Sequence, residues 1–262
     1  MNGPVIETVS YTLPENQHEY VHSIETGSAL SRRCLHEDRG TNAGRYLLQH
    51  ELGFISHLLG GIDRHKKLID VGCGSGCVTL PLHDMGFQVF GLDLNRLALT
   101  VFRQEAMDVP LVQGDALRLP ISSGSVGYVV ATHCFDHLDR AQFLRECYRV
   151  LCNDGLLIFD ALNRHSYKLV LKRLGRLLRP QFTDRPNDKW IDVFSCREVV
   201  QLIASTGFDL QAASGYGWIP FPVDSDSRLV NAIASVERIL RLDRLPHVSP
   251  RVLMAVRKKA KH

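Results

Sequence analysis

Apolar residues recur at helical spacing over residues 43–59, at Leu47, Leu48, Leu52, Ile55, Leu58 and Leu59, and Gly60-Gly61 closes the stretch. Beyond this first amphipathic helix the pattern changes. Short apolar runs at 67–71, 88–92, 111–113, 126–132 and 156–161 predict buried strands. Between them, 76–85, 95–107 and 140–151 predict helices, the second capped by Asn95. Asn153-Asp154-Gly155 is a turn signal. Ser195 with Glu198 three residues on forms a capping box that opens a further helix, and 208–213 and 251–256 predict a final pair of strands. Residues 1–40 are polar and irregular, 165–179 form a basic amphipathic segment, and 216–246 form an aromatic, Pro-containing insert.

Strands alternating with helices predict an α/β fold: a mostly parallel, doubly wound sheet with helices on both faces. Such a sheet binds its ligand beyond the carboxyl ends of the strands, where strand order reverses. A chain of 262 residues with 45% hydrophobic content suits one large domain, or one domain plus a cap. The net charge of +3 does not by itself indicate a nucleic-acid partner. No apolar run reaches bilayer-spanning length, and the N-terminus has no secretory succession. Seven cysteines without a C-x-x-C pair predict reduced thiols and a cytoplasmic location, with Cys73 and Cys77 as small packers beside a turn.

The candidate chemistry begins at "LIDVGCGSGCVTL", residues 68–80. A strand ends in Asp70, and glycines follow at 72, 74 and 76, so the backbone turns sharply and approaches a ligand closely. The predicted helix start behind it suits an anionic group. Dinucleotides and S-adenosylmethionine (SAM) both fit such a loop. The dinucleotide fingerprint G-x-G-x-x-G fails at Cys77. Asp70 opposes a pyrophosphate and suits a ligand carrying an ammonium and a sulfonium. Asp93 closes the second strand, where an acid accepts from ribose hydroxyls in either class. Asp115 closes the third strand, placed to accept from an adenine amino group beside the Ala116 N–H.

Through Asp70-Val71-Gly72-Cys73-Gly74-Ser75-Gly76, Gly91-Leu92-Asp93 and Gly114-Asp115-Ala116 with Leu119-Pro120, the chain resembles the class I SAM-dependent methyltransferases over roughly residues 65–162. The resemblance implies a seven-stranded Rossmann-like sheet with one antiparallel strand, and SAM as cofactor. It implies that Gly72, with Asp70 nearby, serves the methionine part, that Asp93 serves the ribose and Asp115 with Ala116 the adenine, and that Gly74 and Leu94 also belong to the cofactor site. The chain departs from the family at Gly127, where an acid often stands.

The domain organisation expected is one methyltransferase domain over 1–262: a cap at 1–62, a core at 63–215 and 248–262, and an insert at 216–247. Methyl transfer to oxygen or nitrogen calls for orientation and, where a proton must leave, a base near neutrality. In "ATHCFDHLD", His133 is expected to line the cofactor pocket and His137 to be the base, with His165 in "ALNRHS" as the second candidate. His133, Asp136 and His137 also spell a two-His, one-carboxylate set, but within one short loop no metal is expected.

The loop lacks an N/D-P-P-Y/F stretch and a Pro-Cys pair, which turns the reading away from nucleic-acid bases. The expected activity is methylation of a small molecule, foremost O-methylation of a natural-product, quinone-like or sugar acceptor. The basic stretch 168–179 keeps an RNA or protein acceptor and a membrane contact as alternatives, and Gly127 keeps a non-catalytic SAM-binding subunit. Tyr216, Trp218 and Phe221 are read either as acceptor-pocket lining or as a plug packing the insert onto the core, and Arg45 either as a partner for the cofactor carboxylate or as an exposed helix residue.

Overall fold

The computed structural model describes residues 40–170 and 194–259. Its elements run α1 (Asn42–Leu59), β1 (Leu68–Val71), α2 (Thr79–Asp84), β2 (Val89–Asp93), α3 (Arg96–Glu105), β3 (Leu111–Gln113), β4 (Val126–Ala131), α4 (Arg140–Val150), β5 (Leu151–Leu162), α5 (Cys196–Ser205), β6 (Phe208–Tyr216), α6 (Leu229–Leu240) and β7 (Arg251–Lys258). The strands form one seven-stranded sheet in the order β3-β2-β1-β4-β5-β7-β6. The pairs from β3 to β5 are parallel, and β7 runs antiparallel to both of its neighbours. No helix among the described residues is long and apolar enough to cross a membrane.

Strand side chains alternate between two cores, as the period of two requires. Leu68, Tyr128, Val130, Leu156 and Ile158 pack under α1, α2 and α3. Ile69, Val129, Ala131, Leu157 and Phe159 pack under α4 and α5. The caps form as read: Asn95 accepts from the backbone of Leu97 and Ala98, and Ser195 and Glu198 close a reciprocal capping box. Gly127 is explained by space, since a Cβ there would lie 2.6 Å from the Lys66 Cβ.

Two local expectations are corrected. The helix after the glycine loop begins at Thr79 and not at residue 76, because Gly76 takes φ +94° and turns the chain first. The Asn153-Asp154-Gly155 signal does not separate the helix from a strand that begins at 156, because β5 already begins at Leu151. Val126 pairs with Leu151 and Tyr128 with Leu156, so residues 152–155 bulge out of a continuous β5, with Asp154 at φ +59°.

The insert packs on the outer side of α1. Ile219 and Val230 bury against Ala43 and Tyr46, with Phe221 beside them. This is the plug reading of the insert aromatics. Trp218 stacks on Tyr167 with ring centroids 5.8 Å apart, and Tyr216 is fully buried. A polar latch completes the contact. The Tyr46 hydroxyl donates to Glu237 of α6 and accepts from the backbone of Gly217 and Trp218, while His50 lies 3.8 Å from the second Glu237 oxygen.

Burial pushes the Glu237 carboxyl up to about 7 and the His50 imidazole down to about 4. A carboxyl raised in the fold contributes stability below its unfolded pKa, about 4.3, and loses it as pH rises through the folded value. A lowered histidine contributes above about 6.5 and loses that contribution as pH falls through its folded value. Glu237→Gln is therefore expected to gain on wild type by roughly 2–3 kcal/mol between pH 5 and pH 8. Urea unfolding at both pH values checks this. An equal difference at the two would mean that Glu237 stays ionised throughout.

Candidate active site

The carboxyl ends of β1, β2, β3 and β4 surround a cavity of about 420 Å³. It lies across the β1–β4 boundary, where the strand order reverses, and its size is that of a small-ligand site. Asp70, Gly72, Gly74, Asp93, Leu94, Asp115, Ala116, His133 and His137 all line it. His165 does not. It sits exposed after β5, its N–H held by the Asn163 side chain. Arg45 also lies outside the lining, bonded to the Gly40 carbonyl and to Asn42 at the start of its own helix. The basic stretch 168–179 falls outside the described residues from 171 onward.

The glycine loop is held from behind. The N–H groups of Gly72 and Cys73 donate to the Leu92 carbonyl at 2.7 and 3.1 Å. Asp93 ties the loop to β2: one carboxylate oxygen accepts from Gly74 N–H at 2.8 Å and the other from Asn95 N–H at 2.7 Å. Each oxygen keeps a second lone pair. Gly72, at φ +75°, lies so close to the turn after β4 that a Cβ would stand 2.9 Å from the Cys134 Cβ. The backbone itself therefore forms this wall. Cys73 and Cys77 are buried beside the loop as space-fillers.

Asp70 is 1% exposed and accepts from the Thr79 hydroxyl at 2.6 Å. Asp115 is exposed and accepts from Leu117 N–H at 2.8 Å through one oxygen, closing an Asx turn. The three carboxylates thus stand at the ends of three adjacent strands on the rim of one cavity.

Residues 69–159 match a family model described as "Methyltransferase domain". Over these residues the chain is similar to the SAM-dependent methyltransferases. A "Probable S-adenosylmethionine-dependent methyltransferase" of Mycolicibacterium smegmatis is 28% identical over 172 residues, which are 64% of this chain and 60% of the relative. A "Ubiquinone biosynthesis O-methyltransferase" of Chromobacterium violaceum is 27% identical over 173 residues, covering 61% of this chain and 73% of that protein. The chain thus spans a little under two thirds of the first relative's length. A solved SAM-dependent methyltransferase from Methanosarcina mazei shares the fold, with a TM-score of 0.58 at 17% identity over 78% of this chain and 98% of that one.

The methyltransferase fold also assembles a polar cluster that the sequence did not announce. Glu51 of α1 meets His133 after β4, and Tyr216 of β6 donates toward Asp160 of β5 at 2.8 Å, with Glu51 at 3.2 Å. Arg251 of β7 pairs with Asp160 and stands 3.8 Å from Asp136. Asp160 also accepts the His133 backbone N–H at 2.6 Å, which holds that residue at φ +59°. A left-handed non-glycine backbone costs about 1–2 kcal/mol, so its surroundings impose it. Burial would raise the Asp160 carboxyl, but Arg251 and His133 outweigh it and hold the group below its ordinary value. Asp136 is raised, by burial and then by Asp160. Burial drives the Tyr216 hydroxyl well up, with Asp160 and Glu51 adding to it. A buried Glu in the otherwise apolar face of α1 was the one signal in the sequence.

Proposed function

We propose that this chain transfers a methyl group from SAM to a small molecule, with a hydroxyl oxygen of a natural-product, quinone-like or sugar type as acceptor. The observation that carries the reading is the convergence of Asp70, Asp93 and Asp115 on one cavity behind a glycine wall. The residues present suit the cofactor. Gly72 packs its backbone directly on the Cys134 turn at the cavity wall, and a side chain there would displace that wall. Asp93 has lone pairs left for two ribose hydroxyls, and Asp115 keeps a free oxygen for an amino group. Bound there, SAM supplies an electrophilic methyl group on a sulfonium. The chain's own part is orientation, with the loop pinned by Asp93 and Leu92 so that little ordering remains at the reacting step. The ubiquinone-pathway name of one relative supports an oxygen acceptor.

Calorimetry with S-adenosylhomocysteine (SAH) tests this, with NADH as comparison. SAH is expected to bind and NADH to stay silent. Asp93→Ala is expected to weaken SAH by ten- to a hundredfold, since each charge-assisted bond is worth ~1.5–3 kcal/mol. Absence of SAH binding, or equal binding by Asp93→Ala, would overturn the cofactor assignment.

A further inference from the structure

Glu51 and His133 lie 82 positions apart and meet at the wall of the cavity, with Glu51 Oε1 2.5 Å from His133 Nε2. The Glu51 side chain is fully buried, whereas that of His133 is 28% exposed. Resting on the methyl-transfer reading above, we propose that His133 takes the acceptor's proton on Nδ1 as general base, and that Glu51 is the positioning residue that keeps Nδ1 free to do so.

With Glu51 ionised, the carboxylate only accepts, so we place the neutral ring's proton on Nε2, which leaves the Nδ1 lone pair bare. The backbone under the ring is anchored, because the His133 N–H is bonded to Asp160, which Arg251 holds. The turn that carries it packs against Gly72 through Cys134, and both line the cavity. His137 lines the same cavity, but among the described residues no hydrogen bond to its ring selects its tautomer.

Charge follows the same path. The acceptor's O–H bond breaks as its oxygen bonds the methyl carbon. The sulfur–carbon bond breaks with its pair left on sulfur, and the proton ends on Nδ1. Positive charge thereby moves from the sulfonium to an imidazolium that faces Glu51. The other groups turned toward this ring or its backbone are Asp160 from β5, Tyr216 from β6 and Arg251 from β7, with Asp136 and Asp70 behind them. Among the described residues, Glu51 is the one that pairs with the ring itself.

The test is ¹⁵N NMR of the full chain with labelled histidine rings, the His133 signals assigned by their loss in His133→Asn. Wild type is expected to show the Nε2–H tautomer, and Glu51→Gln to lower the His133 titration midpoint by about one pH unit or more, as loss of an adjacent opposite charge requires. Sinefungin, which bears an amine where SAM bears its methyl group, is expected to lower the midpoint relative to the SAH complex. An Nδ1–H tautomer in wild type, a midpoint unmoved by Glu51→Gln, or equal midpoints with sinefungin and SAH would each overturn the proposal. The wild-type tautomer is read without any substitution, so a poorly folded variant does not remove the test. Calorimetry separates the two readings. A wild type that binds no SAH sinks the methyl-transfer reading and the base role with it, while SAH binding with the wrong tautomer sinks the base role alone.

Discussion

Arg251→Met is expected to lose about 3–5 kcal/mol of folding free energy at neutral pH. Arg251 is the cation between Asp160 and Asp136, and both carboxyls are buried, at 0% and 3% exposure. Removing one partner of a buried pair leaves the other charge without compensation, which costs more than the pair itself contributes. In wild type the Asp160 carboxyl is held low, so its contribution is present above an unfolded pKa of about 3.9 and is lost only as pH falls through the lower folded value. Without Arg251, burial and Asp136 would raise that carboxyl instead. The deficit of the variant should therefore be largest near neutrality and shrink as the solution is made acidic. Urea unfolding of both proteins from pH 4 to pH 8 reads this directly. A loss below about 1 kcal/mol at neutral pH, the size of an exposed pair, would mean that the cluster is far better hydrated than its burial implies.

The second large effect is expected at Gly76. Its φ is +94°, and an added Cβ would lie 2.5 Å from Cζ of Phe102, a fully buried ring of α3. Gly76→Ala combines backbone strain of about 1–2 kcal/mol with overpacking of about 1–3 kcal/mol, for roughly 2–5 kcal/mol in all. The displaced loop carries Gly72 and Gly74, so SAH affinity should fall with stability. Gly61→Ala is the control, since nothing lies within 4 Å of a Cβ there and its φ is not in the left-handed range. It is expected to change stability by no more than about 0.5 kcal/mol. Equal thermal midpoints for Gly76→Ala and wild type would show that Phe102 yields and that this glycine serves the turn alone. The third glycine of the loop thus has a different task from the first. Gly72 lets backbone come near a ligand cavity, whereas Gly76 lets a helix dock behind it.

The order of strands and helices, the caps at Asn95 and Ser195 and the rim of Asp70, Asp93 and Asp115 were all legible in the sequence. Each rests on local rules. An amphipathic period, a capping side chain or an acid at a strand end acts within a few residues of itself. Helix α2 began later than its pattern suggested, and the turn at Asn153-Asp154-Gly155 became a bulge inside β5, because Leu151 as well as Leu156 pairs with β4. Tyr216 and the neighbouring aromatics went to packing, a choice between two readings that composition had left open. What only the tertiary structure decided is the cluster of Glu51, His133, Asp136, Asp160, Tyr216 and Arg251. Its members come from five separate stretches of chain, and no spacing rule joins them. Charges leave water only when opposite charges and hydrogen bonds arrive with them, and those partners are brought together by the folding of the whole sheet.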